Sequence, residues 1–233
     1  MFIVEGNIGA GKSTFLTLVR QNASLIEVAL EPLVNWQKEI YGHSLLENFY
    51  EYPQRWAYTL ETFTLICRVK EHLKDQTNSN PYLLVERSIF SGHYVFAKNS
   101  YEQGFLSSLE WDIYLHLFNL LTRPCKMPLG FIYLRTKPEI AFERLKKRNR
   151  SAELTITLEY IHQIHEKHEA FLGQAPLGLT IETPEGQRRS FPPIPVLILN
   201  CDEEFQDNPP LFGQHLSTIK EFMALQVAKA AKL

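Results

Sequence analysis

Cysteine is scarce: Cys67, Cys125 and Cys201 are the only three, an odd number at wide spacing with no C-x-x-C pair. That excludes a disulfide framework and a zinc-type grouping, and it fits a reducing compartment. An excess of charge of either sign is also missing, with 24 basic side chains set against 26 acidic ones and a net charge of -2. Binding of DNA, RNA or an anionic membrane by bulk charge is therefore not expected, although a local basic cluster can still hold phosphate. No apolar run is long enough to span a bilayer, and no basic segment leads into an apolar stretch near Met1. The expectation is a cytoplasmic protein with no targeting segment, no membrane span and no nucleic-acid partner. Internal repeats and low-complexity tracts are absent.

The 233 residues, 45% of them apolar, suit one domain over 1–233. Five short apolar runs predict strands: the one within Met1 to Glu5, then Leu25 to Leu30, Tyr82 to Val85, Phe131 to Leu134 and Val196 to Leu199. Between them lie amphipathic stretches that predict helices, at Pro53 to Lys74, Ile89 to Ala97, Phe105 to Leu121, Pro138 to Arg148, Leu158 to Leu172 and after Gln214. Strands with continuous rather than alternating apolar character, separated by helices, imply an α/β fold: a five-stranded parallel sheet between two helical layers. The proline- and glycine-rich stretch 173–195 resists this reading. It is expected to be a surface excursion, because an apolar strand follows it at once.

Gly6-Asn7-Ile8-Gly9-Ala10-Gly11-Lys12-Ser13 fits G-x-x-x-x-G-K-[ST], with an apolar strand before it and, from Ser13-Thr14 onward, a helix after it. Glycines let the backbone curl so that successive N–H groups face phosphate oxygens, and the helix N-terminus adds partial positive charge. Lys12 is expected on the β and γ phosphates and the Ser13 hydroxyl on Mg²⁺. A chance glycine-rich turn with a lysine is the bland alternative, rarer still with both correct flanks, so the chain is expected to bind a nucleoside triphosphate.

Such a loop does not say whether the acceptor is water, protein or a small molecule. Glu31 follows the second predicted strand and Glu86-Arg87 ends the third, on the sheet edge where ligands of parallel sheets collect. Singly each reads as a solvated cap; three on the edge that carries the phosphate loop read as a site. Glu86 could hold Mg²⁺ and the Arg87 fork could grip phosphoryl or hydroxyl oxygens. Arg144, Lys146, Lys147, Arg148 and Arg150 close a helix, where cations satisfy the macrodipole. Beside a triphosphate, 144–153 becomes a lid candidate that brings guanidinium groups onto the transferring phosphate.

Taken together, Glu5 to Thr14, Leu30-Glu31-Pro32 with Trp36, Phe49-Tyr50 with Pro53-Gln54-Arg55-Trp56, Glu86-Arg87-Ser88 with Phe96-Ala97, and Arg144, Arg148 and Arg150 with Glu153 resemble the deoxyribonucleoside kinase family, of the deoxycytidine and deoxyguanosine kinase type. The resemblance implies a P-loop kinase fold with a helical lid, and ATP-dependent phosphorylation of a deoxyribonucleoside 5′-hydroxyl in nucleotide salvage. It makes Glu31 the base that takes the hydroxyl proton, and Arg87 the group that steadies that oxygen. Lys12, Arg144 and Arg148 then serve the transferring phosphate, and Tyr50 and Glu153 the sugar 3′-hydroxyl. The base falls between Trp36 and Phe96, and Asp202 to Phe205, with Glu204, form the loop over the donor adenine. A homodimer is expected by the same analogy.

The family reads the base edge with glutamine, arginine and aspartate, where this chain has Glu61, Arg68 and Gly92, and with His93 in place of a common arginine. An ionised carboxylate only accepts hydrogen bonds, so Glu61 favours a base presenting N–H groups, guanine first; thymine's N3–H also qualifies. The space left by Gly92 is expected to admit a purine, and Glu61 and Arg68, two turns apart on one helix face, could instead bridge each other. His162, His165 and His168 read as a polar helix face rather than a metal set. Two rival readings stand. A nucleoside monophosphate kinase of the thymidylate kinase type would carry an arginine before its Glu-Pro pair, where this chain has Leu30. A non-catalytic structural relative would have lost Lys12, Glu31 or Arg87, and all three are present.

Overall fold

The computed structural model describes residues 1–31, 44–182 and 188–232. Five strands, β1 (Phe2–Glu5), β2 (Glu27–Ala29), β3 (Leu83–Glu86), β4 (Phe131–Arg135) and the later Val196–Asn200, form one sheet in the order β2-β3-β1-β4 and then Val196–Asn200. Every pairing in it is parallel, with Ile3 opposite Val85 on one side and Phe131 on the other. The predicted five-stranded parallel α/β sheet is thus present. β1 lies at its centre, so the loop that leaves β1 opens beside the end of β3, where the chain order reverses and a crevice forms.

Alternation along the strands divides the core in two. Phe2, Val4, Ile132 and Leu134 face one layer, made by α1 (Lys12–Asn22) and the C-terminal helix Pro209–Ala230. Ile3, Phe131 and Tyr133 face the other, made by α3 (Pro53–Asp75), α6 (Ser108–Thr122) and α8 (Leu158–Leu172). Each fully buried phenylalanine here contributes about 2 to 3 kcal/mol. The second layer also holds α2 (Leu45–Glu51), a helical run of α4 (Ile89–Ser91), a π-helical stretch (Gly92–Ala97) and α5 (Lys98–Glu102), and α7 (Pro138–Arg148) after β4.

Several predicted boundaries move for local reasons. β2 is only three residues because Ser24 and Leu25 form a turn and Leu25 is exposed. α6 begins at Ser108 rather than Phe105, since Ser107 and Glu110 make a reciprocal capping box. The last helix, α9 (Pro209–Ala230), starts before Gln214, with prolines in its first turn and the Asn208 side chain accepting from Leu211 N. Helix α2 had no predicted counterpart. The stretch 173–195 carries a small antiparallel hairpin, β5 (Thr180–Glu182) and β6 (Arg188–Ser190), before β7 (Val196–Asn200). Expected on the surface, it nonetheless sends Leu177, Leu179 and Ile194 into the core.

Candidate active site

The loop between β1 and α1 is preorganised by its own backbone. Gly9 has φ +80°, and a Cβ there would sit 2.1 Å from the Ala141 carbonyl oxygen, so no other residue fits. Asn7 fixes the curl by accepting from Ile8 N at 2.8 Å and donating to Ile161 O at 2.9 Å. Lys12 folds over the loop and donates to the Gly6 and Asn7 carbonyls at 3.0 and 2.8 Å. Burial, helped by the cation of Arg87, pulls its ammonium down to about 7. A polyphosphate in the loop would supply the negative charge this lysine lacks.

At the end of β3 the chain turns sharply into α4. Arg87 occupies the left-handed region at φ 63°, costing about 1 kcal/mol or more for a non-glycine residue. The turn is fixed by Arg87 N donating to Val4 O at 2.9 Å and by Ser88, which caps α4 and donates to the buried Glu5 carboxylate at 2.6 Å. That backbone turns the Arg87 side chain back into the crevice, where its Nε lies 3.2 Å from Glu31 Oε2. Arg68, from α3, donates to Glu31 Oε1 at 2.7 Å. Burial alone pushes the Glu31 carboxyl up, but the two arginines outweigh it and hold it below the usual range. Glu86 bridges the parts, accepting from Ser13 Oγ at 2.7 Å and from Glu31 N at 3.2 Å. A hydroxyl and a carboxylate meeting beside the phosphate loop form a donor set of the kind that holds Mg²⁺.

A single cavity joins these groups to an apolar chamber. Its phosphate end is lined by Ile8, Gly9 and Gly11 to Thr14, its middle by Glu31, Glu86 and Arg87, and its far end by Phe49, Tyr50, Leu60, Glu61, Thr64, Arg68, Phe96 and Tyr160. Tyr50 meets Tyr160 edge-on at 5.9 Å, and burial, then Glu153, raises its phenol well above the ordinary range. Glu61 accepts from Ser100 Oγ at 3.0 Å; burial raises its carboxyl to about 7 against the opposing pull of Ser100 and Arg68. Over the mouth, Glu153 pairs with Arg148 and, at 3.7 Å, with Arg150.

The structure thus brings together Lys12, Ser13, Glu31, Tyr50, Glu61, Arg68, Glu86, Arg87, Phe96, Arg148 and Glu153. Trp36 lies outside the described residues. Arg144 points elsewhere: it donates to the carbonyls of Cys201, Asp202 and Glu203 and pairs with Glu204 at 3.6 Å. It braces the 201–204 loop rather than facing the cavity, while Arg150 does line it. In that loop Asp202 accepts from Lys137 N, and Phe205 is buried edge-on to Phe15 at 5.5 Å. Glu61 and Arg68 do not bridge, because Arg68 is drawn to Glu31. The room expected at Gly92 is taken, since a Cβ there would lie 2.8 Å from Arg68 Nη1. Thr64, overlooked in the sequence, follows from spacing alone, for it stands between Glu61 and Arg68 on the buried face of α3. Among the described residues no three or more His, Cys, Asp or Glu side chains group as a metal site, and His168 of the α8 histidines is buried against Tyr133.

Comparison with known proteins decides the family. The model of the family described as deoxynucleoside kinase matches residues 2–224. The chain belongs to the deoxynucleoside kinase family. It is 36% identical to a mitochondrial deoxyguanosine kinase of Xenopus laevis, covering 95% of this chain and 88% of that protein. It is 34% identical to deoxycytidine kinase 2 of Gallus gallus, covering 94% and 89%, and 31% identical to human deoxycytidine kinase, covering 95% and 90%. The activity is phosphorylation of deoxynucleosides, with ATP as the donor that a kinase of this family uses. Relatives of both purine and pyrimidine specificity match to a similar degree. No helix among the described residues is long and apolar enough to cross a membrane.

Proposed function

We propose that this deoxynucleoside kinase transfers the γ-phosphoryl of ATP to the 5′-hydroxyl of a purine deoxyribonucleoside, guanine first. The observation that carries the reading is the position of Glu31, ionised and buried between the phosphate loop and the apolar chamber. Glu31 accepts the proton as the hydroxyl oxygen attacks, and the guanidinium of Arg87, whose Nη1 has no partner among the described residues, steadies that oxygen. Lys12 and Arg148 meet charge on the phosphates, and Tyr50 and Glu153 grip the sugar. Ser13 and Glu86 would hold Mg²⁺, which supplies charge neutralisation to the polyphosphate.

The purine preference rests on Glu61, which lines the far end of the chamber and, when ionised, accepts from two adjacent N–H groups such as guanine N1 and N2. Asp202 to Phe205 are assigned to the donor adenine. A homodimer is supported by an exposed apolar stripe on α6, Leu109, Ile113 and Leu120, and cytoplasmic residence by three unpaired thiols.

The test is ATP consumption with each deoxynucleoside and with dTMP, wild type beside Glu31→Ala. Transfer to nucleosides but not dTMP is expected, with deoxyguanosine best and Glu31→Ala slower by about 10³-fold. Near-normal turnover in Glu31→Ala would remove Glu31 from its role. Preference for dTMP would make the enzyme a monophosphate kinase, and a strong preference for deoxycytidine over both purines would sink the Glu61 argument.

A further inference from the structure

Arg68 does something the base-reading expectation does not explain. It arises from the middle of α3, crosses to the end of β2 and spends its shortest contact, 2.7 Å, on Glu31 Oε1, while Arg87 takes Oε2 at 3.2 Å. All three side chains are nearly buried, at 12%, 8% and 7% exposure for Arg68, Glu31 and Arg87. A buried Arg–Glu–Arg triad is an expensive way to stabilise a fold, and well-packed apolar residues often do better. What it supplies is geometry. One partner leaves a glutamate free to pivot about its side-chain torsions, whereas two arginines on opposite oxygens fix the carboxylate plane.

The path of Arg68 depends on Gly92. Its Nη1 stands 2.8 Å from where a Cβ would lie, and its Cδ 3.6 Å away, so the guanidinium group passes over the bare backbone at the start of the π-helical stretch. Phe96, one turn further on, lies under both arginines, 5.7 Å from Arg68 Cζ and 4.8 Å from Arg87 Cζ. Any side chain at 92 would occupy the space that lets Arg68 reach Glu31.

We propose that Arg68, seated over Gly92, is a positioning residue that clamps Glu31 from the side opposite Arg87, and that it does not read the nucleobase. This rests on the reading of Glu31 as the base. Each carboxylate oxygen spends one lone pair on its arginine and keeps another, so the clamped group can still accept the substrate proton. Glu61 is then left as a buried titratable group at the far end of the chamber that can discriminate between bases.

The experiment measures kcat and KM separately for deoxyguanosine and deoxycytidine in Arg68→Met, Arg68→Lys and Gly92→Ala, with Glu31→Gln as reference and thermal unfolding as the check on folding. Loss of alignment at a reacting centre costs about 10²-fold. Arg68→Met is therefore expected to lower kcat by that factor for both nucleosides, with KM and the ratio of the two specificities within about threefold. Arg68→Lys, which restores one charged donor without the fork, should recover part of the loss. Gly92→Ala, which keeps every charge, should lower kcat several-fold in the same pattern, and it carries the test alone if Arg68→Met does not fold. If Arg68→Met or Gly92→Ala instead changed the specificity ratio tenfold or more, or raised KM with kcat intact, Arg68 would be a base reader and the inference would be overturned. Glu31→Gln separates the two levels. If it is inactive while Arg68→Met turns over normally, only the clamp fails; if it retains turnover, the assignment of the base fails with it.

Discussion

The phosphate half of the cavity is made from one continuous piece of backbone, residues 6–14, whereas the acceptor half is made from side chains that α2, α3, the π-helical stretch and α8 deliver separately. Backbone N–H groups bind any polyphosphate alike, and their geometry is fixed by glycines and by Asn7. Side chains converging from four elements can be exchanged without altering the backbone that holds the phosphate. The first half therefore sets the reaction, and the second sets which molecule undergoes it.

The sharpest break of that contrast is Lys12→Met. Removing the cation that folds onto the loop should lower kcat/KM by about 10³-fold, equally for every deoxynucleoside. Steady-state kinetics on a panel of acceptors reads this directly. A loss that differed more than a few-fold between bases would mean that the two halves are not separable.

Glu61→Gln probes the opposite half, and its effect has two parts. The Glu61 carboxyl, at about 7, lies above its ordinary value because of burial. Between the unfolded value near 4.5 and the folded one, the native state keeps a proton that the unfolded chain has released. Stability from this group is thus fully present below about pH 4.5 and is lost as pH rises through 7, on the order of 3 kcal/mol in all. Glutamine has no such dependence, so the melting temperature of Glu61→Gln should rise relative to wild type from pH 5 to pH 8. Parallel curves would place the Glu61 titration elsewhere. The second part is specificity: an amide both donates and accepts, so the ratio of deoxyguanosine to deoxycytidine turnover should fall about tenfold at pH 8, with KM for ATP unchanged.

The same contrast explains how far the sequence could be read. The phosphate loop was legible because its chemistry is local: eight consecutive residues, a strand before and a helix after. Glu31, Glu86 and Arg87 were legible because strand ends in a parallel sheet share an edge. The partner of Arg68 was not, because Gly92 and Glu31 come from different elements and only packing shows that the arginine passes over one to reach the other. Arg144 and Arg148 are neighbours on one helix at i, i+4, yet one braces the 201–204 loop and the other pairs with Glu153. Periodicity assigns them a common face but not their separate partners.

Helix α2 carries a start signal in its sequence but no helical period long enough to predict it. Ser44 and Glu47 fit the spacing of an N-terminal cap, and Ser44 Oγ does accept from Glu47 N at 3.3 Å. Seven residues are too few for a helix to hold by itself, so this cap and the packing of Phe49 share the task. Ser44→Ala should cost about 1 kcal/mol, or a melting temperature lower by about 2 to 4 °C. Because α2 carries Tyr50 into the acceptor chamber, where it lines the cavity beside Glu61 and Tyr160, KM for the deoxynucleoside should rise a few-fold with KM for ATP unchanged. Ser44→Asp, which caps equally well, should restore both values. If the alanine variant raised the two KM values together, the acceptor wall and the phosphate loop would have to be one cooperative unit, and the division between them would hold for chemistry but not for stability.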